Sequence, residues 1–164
     1  MKTYESAKIV LYSPEGVIMP YGESGRLNLP GGGIEPGERP LDALERELDE
    51  ELGLPLGEVI SPSWIGEMMF IATNKHGIPE RRHWHIFAGS TEFGAEDFMF
   101  GDDIQGVEAR IREHIHTDRT INRSAKCAVG MAQKALHITT VMQRFKHPKG
   151  QLKVSSSIPL LEAA

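Results

Sequence analysis

The stretch Gly32-Gly33-Ile34-Glu35-Pro36-Gly37-Glu38-Arg39-Pro40-Leu41-Asp42-Ala43-Leu44-Glu45-Arg46-Glu47-Leu48-Asp49-Glu50-Glu51-Leu52-Gly53-Leu54 decides how this chain is read. From Pro40 to Leu52 it follows helical spacing, with a proline suited to the first turn and Gly53 placed as a stop. At about 100° per residue, Leu41, Leu44, Leu48 and Leu52 form one apolar stripe, expected to pack on a sheet. Glu47, Glu50 and Glu51 fall within a wedge of about 100° beside that stripe, not opposite it. Like charges three and four residues apart repel and weaken a helix, so the wedge requires a compensating cation or a structural reason. A solvated acidic face is the plainer reading of a charge run. A cation fits better here, because magnesium takes oxygen ligands and is usually held by one or two carboxylates together with substrate phosphate. Ahead of the helix, Leu29-Pro30-Gly31-Gly32-Gly33 is a loop whose backbone can approach a ligand closely.

Residues 32–54 resemble the signature of the Nudix hydrolase family, G-x5-E-x7-R-E-U-x-E-E-x-G-U, where U is aliphatic. Gly32, Glu38, Arg46, Glu47, Leu48, Glu50, Glu51, Gly53 and Leu54 occupy every constrained position, and Leu29-Pro30-Gly31 is also similar to the family. The resemblance implies an α/β fold, an α/β/α sandwich with a mixed β-sheet. It also implies hydrolysis of a phosphoanhydride bond in a nucleoside diphosphate linked to another group, with Mg²⁺ or Mn²⁺ as cofactor. By position, Glu47, Glu50 and Glu51 resemble the metal ligands, one of them also a candidate base, and the Gly32 carbonyl resembles a further ligand. Arg46 and Glu38 resemble the supporting pair of the catalytic group, a guanidinium holding carboxylates through paired hydrogen bonds. Family members often draw another acid from a later loop. Glu92, Glu96, Asp97, Asp102 and Asp103 are available, and Glu96 is the expected metal ligand, where the chain would turn back after the second downstream strand. The chemistry is consistent: water must attack a phosphorus ringed by anionic oxygens, which metal ions neutralise and orient. Neither the substrate-binding residues nor the particular nucleotide can be read from the sequence.

Outside this stretch the chain is ordinary. Its 164 residues suit one domain spanning 1–164, and 40% hydrophobic with 25% charged residues excludes collagenous and disordered classes. No apolar run is long enough for a membrane span and the start leads into no signal-like core, so a cytoplasmic protein is expected, with no membrane partner. Residues 7–19 read as a hairpin around Ser13-Pro14-Glu15-Gly16. Strands are expected at Trp64 to Thr73 and at His83 to Ala88, joined by the turn Asn74-Lys75-His76-Gly77. Helix-favouring composition from about Val107 to Phe145 predicts two helices.

Charge is unevenly divided. Residues 32–54 hold eight acids against two arginines, whereas residues 110–153 hold ten basic residues against two acids. At helical spacing Arg119, Arg123 and Lys126 would form a ridge able to track an RNA backbone, the basis of an alternative reading as an RNA 5′-end pyrophosphohydrolase. The segment lacks interleaved aromatics, so a small nucleotide substrate is preferred. A noncatalytic nucleotide-sensing protein is the other alternative, disfavoured by the complete box; a homodimer is left open. His83-Trp84-His85 and His114-Ile115-His116 each place two imidazoles close together, but with no fitted third partner neither is read as a zinc site. Trp64 and Trp84 read as core, as do Met68, Met69, Met99 and Met131, and Cys127 as an inert buried thiol.

Overall fold

The structure, a computed structural model, describes residues 1–74 and 76–146. Strands β1 (Thr3–Ser13) and β2 (Gly16–Tyr21) form the expected hairpin. They are followed by helix α1 (Pro40–Leu52), strands β3 (Ile60–Thr73) and β4 (Pro79–Ser90), strand β5 (Gly106–Arg110) and helix α2 (Arg123–Lys146). The sheet runs β3-β4-β1-β2-β5. β1 and β4 are parallel and the other neighbours antiparallel, so the sheet is mixed. Alternation along the strands divides the apolar residues between two layers. Ala7, Ile9, Leu11, Ile18 and Phe87 meet Leu44, Leu48 and Leu52 of α1. On the opposite face Val10, Met19, Trp84 and Ile86 meet Ala125, Ala128, Val129 and Ala132 of α2. The result is the expected α/β/α sandwich.

Several local expectations are corrected. Leu41 is 41% exposed, because it lies in the first turn of α1, where Ala43 takes the core contact instead. The region expected to be helical from Val107 begins as β5: its helix-compatible residues are captured by the free edge of β2, with Met19 opposite Glu108 and Tyr21 opposite Gly106. Among the described residues one long helix follows, after a short turn at Arg112–His114 and a loop. Met68 packs on the α2-side core whereas Met69 is 61% exposed; consecutive strand residues point to opposite faces, and the second face is not covered there. Met131 also packs, but Met99 is exposed in a loop. Trp84 is buried edge-to-face on Phe70, while Trp64 stands out on β3 where the register with β4 shifts. Cys127 is exposed, since α2 buries positions 125, 128, 129 and 132. No helix among the described residues is long and apolar enough to cross a membrane.

Candidate active site

The site begins where the edge of β1 away from β4 lacks a strand partner. β2 is registered with β1 through Tyr12 and Ser13, and the glycine loop supplies partners further back along the strand. Ile9 N–H donates to Pro30 O (3.1 Å), Ala7 N–H to Gly32 O (2.9 Å), and Ile34 N–H to Glu5 O (3.1 Å). Such close apposition explains the glycines. Gly31 has φ 107°, and a Cβ on it would overlap the Ala7 carbonyl oxygen; a Cβ on Gly32 would overlap the Glu47 carboxylate. The loop is thus wedged between β1 and the acidic side of α1.

α1 holds its acids over this loop. Its C-terminus stops at Gly53, φ 61°, whose N–H donates to Asp49 O. Glu51 Oε2 accepts the Gly31 N–H at 2.7 Å. Arg46 binds Glu38 bidentately, Nε to Oε1 and Nη2 to Oε2, both 3.0 Å. Its Nη1 reaches Glu47 Oε1 (2.8 Å) and Glu50 Oε2 (3.3 Å), and Nη2 donates to Gly33 O (2.9 Å). The Arg46 hydrogen bonds, with the Glu35 N–H, hold the Glu38 carboxyl below the ordinary carboxylate range. One guanidinium therefore fixes Glu47, Glu50 and Glu38 against the loop. The box residues named from the sequence are brought together.

Burial pushes the Glu51 carboxyl above its ordinary range; Lys8 and the Gly31 N–H pull it down, and Glu47 and Asp103 push it up. Lys8 was missed in the sequence. It is buried, with Nζ on Leu29 O (3.3 Å) and 5.9 Å from the centre of the Trp84 ring. Burial lowers its basicity while Glu51 and Glu47 raise it. A lone charged residue within Ala7-Lys8-Ile9-Val10-Leu11 was the signal available.

Glu96 and Asp103 stand differently toward the box. Glu96 is exposed on the turn Ala95–Asp97, which is tied elsewhere: Ala95 N–H donates to Glu15 Oε2 (3.1 Å) and Gly94 N–H to Asp97 Oδ2 (2.7 Å). The chain returns to the end of α1 through buried Phe98, then Met99 beside Gly53, then Gly101, whose N–H reaches Glu51 O (3.4 Å). Asp103 follows there, and its charge acts on Glu51. Asp103→Asn is expected to lower turnover about 10–100-fold, with Glu96→Gln close to the parent. Equal effects in steady-state assays would remove Asp103 from the site.

The donor set fits a hard divalent cation. Glu47, Glu50, Glu51 and Asp103 offer only oxygens, and Lys8 is the one cation among the charges acting on Glu51. The Gly32 carbonyl accepts one hydrogen bond, from Ala7, and keeps a second lone pair. The basic ridge is not assembled as expected. Arg119 precedes α2, so only Arg123 and Lys126 share the helix. With His116, Lys134 and His137 they line a groove of about 750 Å³ on α2, across the sheet from α1. Lys149 and Lys153 lie outside the described residues.

Among solved structures the chain is similar to a MutT protein from Methanosarcina mazei Go1, with 15% identity and a TM-score of 0.67 over 81% of this chain and 95% of that one. It is similar to a C. elegans Ap4A hydrolase, with 14% identity and a TM-score of 0.64 over 82% and 98%. An E. coli dihydroneopterin triphosphate pyrophosphohydrolase gives 16% identity and a TM-score of 0.62 over 76% and 91%. No curated protein matches the sequence. At these identities the structures share the fold alone. The NUDIX domain family model matches residues 4–115, which contain the whole loop-helix site; by that match the chain belongs to the NUDIX domain family of hydrolases.

Proposed function

We propose that this chain hydrolyses a phosphoanhydride bond in a small nucleotide, a nucleoside diphosphate linked to another group, and that it requires Mg²⁺ or Mn²⁺. The observation that supports this is the placing of Glu47 and Glu51 against the Gly31–Gly32 loop, with Glu50 tied to Glu47 through Arg46 and the charge of Asp103 acting on Glu51. Glu47, Glu50 and Glu51 would hold the ion, with Asp103 and the Gly32 carbonyl as further oxygen donors. When bound, it neutralises phosphate charge and lowers the pKa of water. The chain's own residues do the rest. Arg46 and Glu38 keep the acids oriented, the Gly31 N–H holds Glu51, and one of the three glutamates takes the proton of the attacking water. Lys8 offsets the acids from beneath the loop.

Two neighbours are named for Ap4A and for dihydroneopterin triphosphate, compounds whose common element is a chain of phosphoanhydrides. That common element is what the site addresses; the attached group is selected elsewhere. Turnover of nucleoside triphosphates, sugar nucleotides, dinucleoside polyphosphates and triphosphorylated RNA, with Mg²⁺ or Mn²⁺ and again in excess chelator, tests the reading. Hydrolysis of a small nucleotide that stops with chelator and returns with added metal is expected. Metal-independent turnover would refute the metal requirement, and no turnover of any compound would favour nucleotide sensing. Fastest turnover of RNA would favour the RNA-end reading, toward which the Arg123–Lys126 groove is the one supporting feature.

A further inference from the structure

Apart from the box, the described residues bring together a second group of metal-binding side chains. His83 and His85 flank buried Trp84 on β4, so both imidazoles leave the face of the sheet that Ala7 and Phe87 share with α1. Strand register supplies the partners that sequence spacing did not show. β1 places Glu5 opposite His83, and β3 places Glu67 opposite His85. One ligand atom each from Glu5, His83 and His85 lie within 4.8 Å of one another. Glu5 Oε1 is 3.3 Å from His83 Nδ1, Glu67 Oε2 is 3.0 Å from His83 Nε2, and Glu67 Oε1 is 3.4 Å from His85 Nδ1. The His83 and His85 side chains are only 16% and 13% exposed, whereas Glu5 and Glu67 are half-exposed, leaving solvent access to the cluster.

We propose that this cluster is a second metal site, for a borderline divalent transition ion such as zinc. Glu5, His83 through Nδ1 and His85 through one ring nitrogen are the ligands. Glu67 accepts the remaining N–H of His83 and sets the ring, the carboxylate–histidine arrangement that metal-bound imidazoles ordinarily show. Ligand type separates this site from the box: imidazole suits zinc, whereas the all-oxygen box suits magnesium. Scale fits as well. With zinc–ligand bonds of about 2.0–2.1 Å, neighbouring tetrahedral ligands stand about 3.4 Å apart, close to the 3.3 Å between Glu5 and His83. The two rings stand 4.5 Å apart between centres, close enough for one ion to serve both rings and Glu5. Three protein ligands leave a coordination position for water. The site does not rest on the hydrolase reading.

Zinc binding by the metal-stripped full chain, measured against a chromophoric chelator with Mg²⁺ in excess, tests the proposal. The parent and a Glu50→Gln/Glu51→Gln variant are expected to bind zinc alike. His83→Gln and His85→Gln are expected to lose stoichiometric binding, and Glu67→Gln to weaken it about 10–100-fold. Circular dichroism establishes that each variant is folded. If a histidine variant is not, the ring ¹⁵N resonances of the parent decide: zinc should shift those of His83 and His85. Zinc binding unchanged in His83→Gln, lost with the box acids, or leaving both rings unshifted would overturn the assignment, as would failure of the parent to bind zinc.

Discussion

Glu51→Gln is expected to lower turnover by about 10²–10⁴-fold, the largest single-residue effect in this protein. Glutamine keeps the shape of the side chain, and its amide oxygen can still accept the Gly31 N–H that holds the loop at 2.7 Å. It loses the negative charge, which is what a divalent ion and a departing proton both require. Glu51 is also held against the loop under the charges of Lys8, Glu47 and Asp103. Glu50→Gln is expected to act in the same direction; its side chain is 59% exposed and has one 3.3 Å contact with Arg46, so solvent or a neighbouring acid can compensate in part. Steady-state kinetics over a range of Mg²⁺, with thermal unfolding of the metal-free proteins, are the measurements. Turnover near the parent in both folded variants would defeat the catalytic reading and favour a nucleotide-binding protein.

Arg46→Ala is expected to cost about 10²-fold in turnover, the order produced by displacing catalytic groups by about 1 Å. Arg46 is a positioning residue. Its guanidinium joins Glu38, Glu47, Glu50 and the Gly33 carbonyl, so its loss frees two candidate ligands and the loop together. A role confined to helix stability would lower the unfolding temperature and leave the metal requirement unchanged. Positioning predicts a rise in the Mg²⁺ concentration for half-maximal rate along with the fall in kcat. Arg46→Lys should recover little, because one ammonium cannot reproduce the planar fork that grips both oxygens of Glu38. Full recovery by lysine would show that charge alone suffices.

The two predictions concern residues that were legible before any fold was known, and the reason is locality. Glu47, Glu50 and Glu51 lie within two turns of one helix, and Arg46 and Glu38 are bonded to one another across eight positions of continuous chain. Helical geometry alone brings such residues to one side, so composition and spacing suffice. The hairpin of β1 and β2 was legible for the same reason, a turn signal between two apolar runs. Even within α1 the apolar stripe was read one turn too far, since which turn meets the sheet depends on the sheet.

Contacts between distant segments were decided by tertiary structure. The charges of Lys8 and Asp103 act on Glu51 from segments far apart in the chain, the first from under the glycine loop on the unpaired edge of β1, while the turn that carries Glu96 is tied to Glu15. Residues 106–110 became a strand because β2 had an open edge, which local propensity could not register. His83 and His85 were visible as a pair, yet their partners Glu5 and Glu67 come from strands on either side, placed by register alone. The amino-acid sequence by itself thus determined the loop-helix with its acids and the family it belongs to, since periodicity records what lies along one element. Register and packing decided what crosses between elements, because a one-residue slip in either neighbouring strand would send Glu5 or Glu67 to the other face.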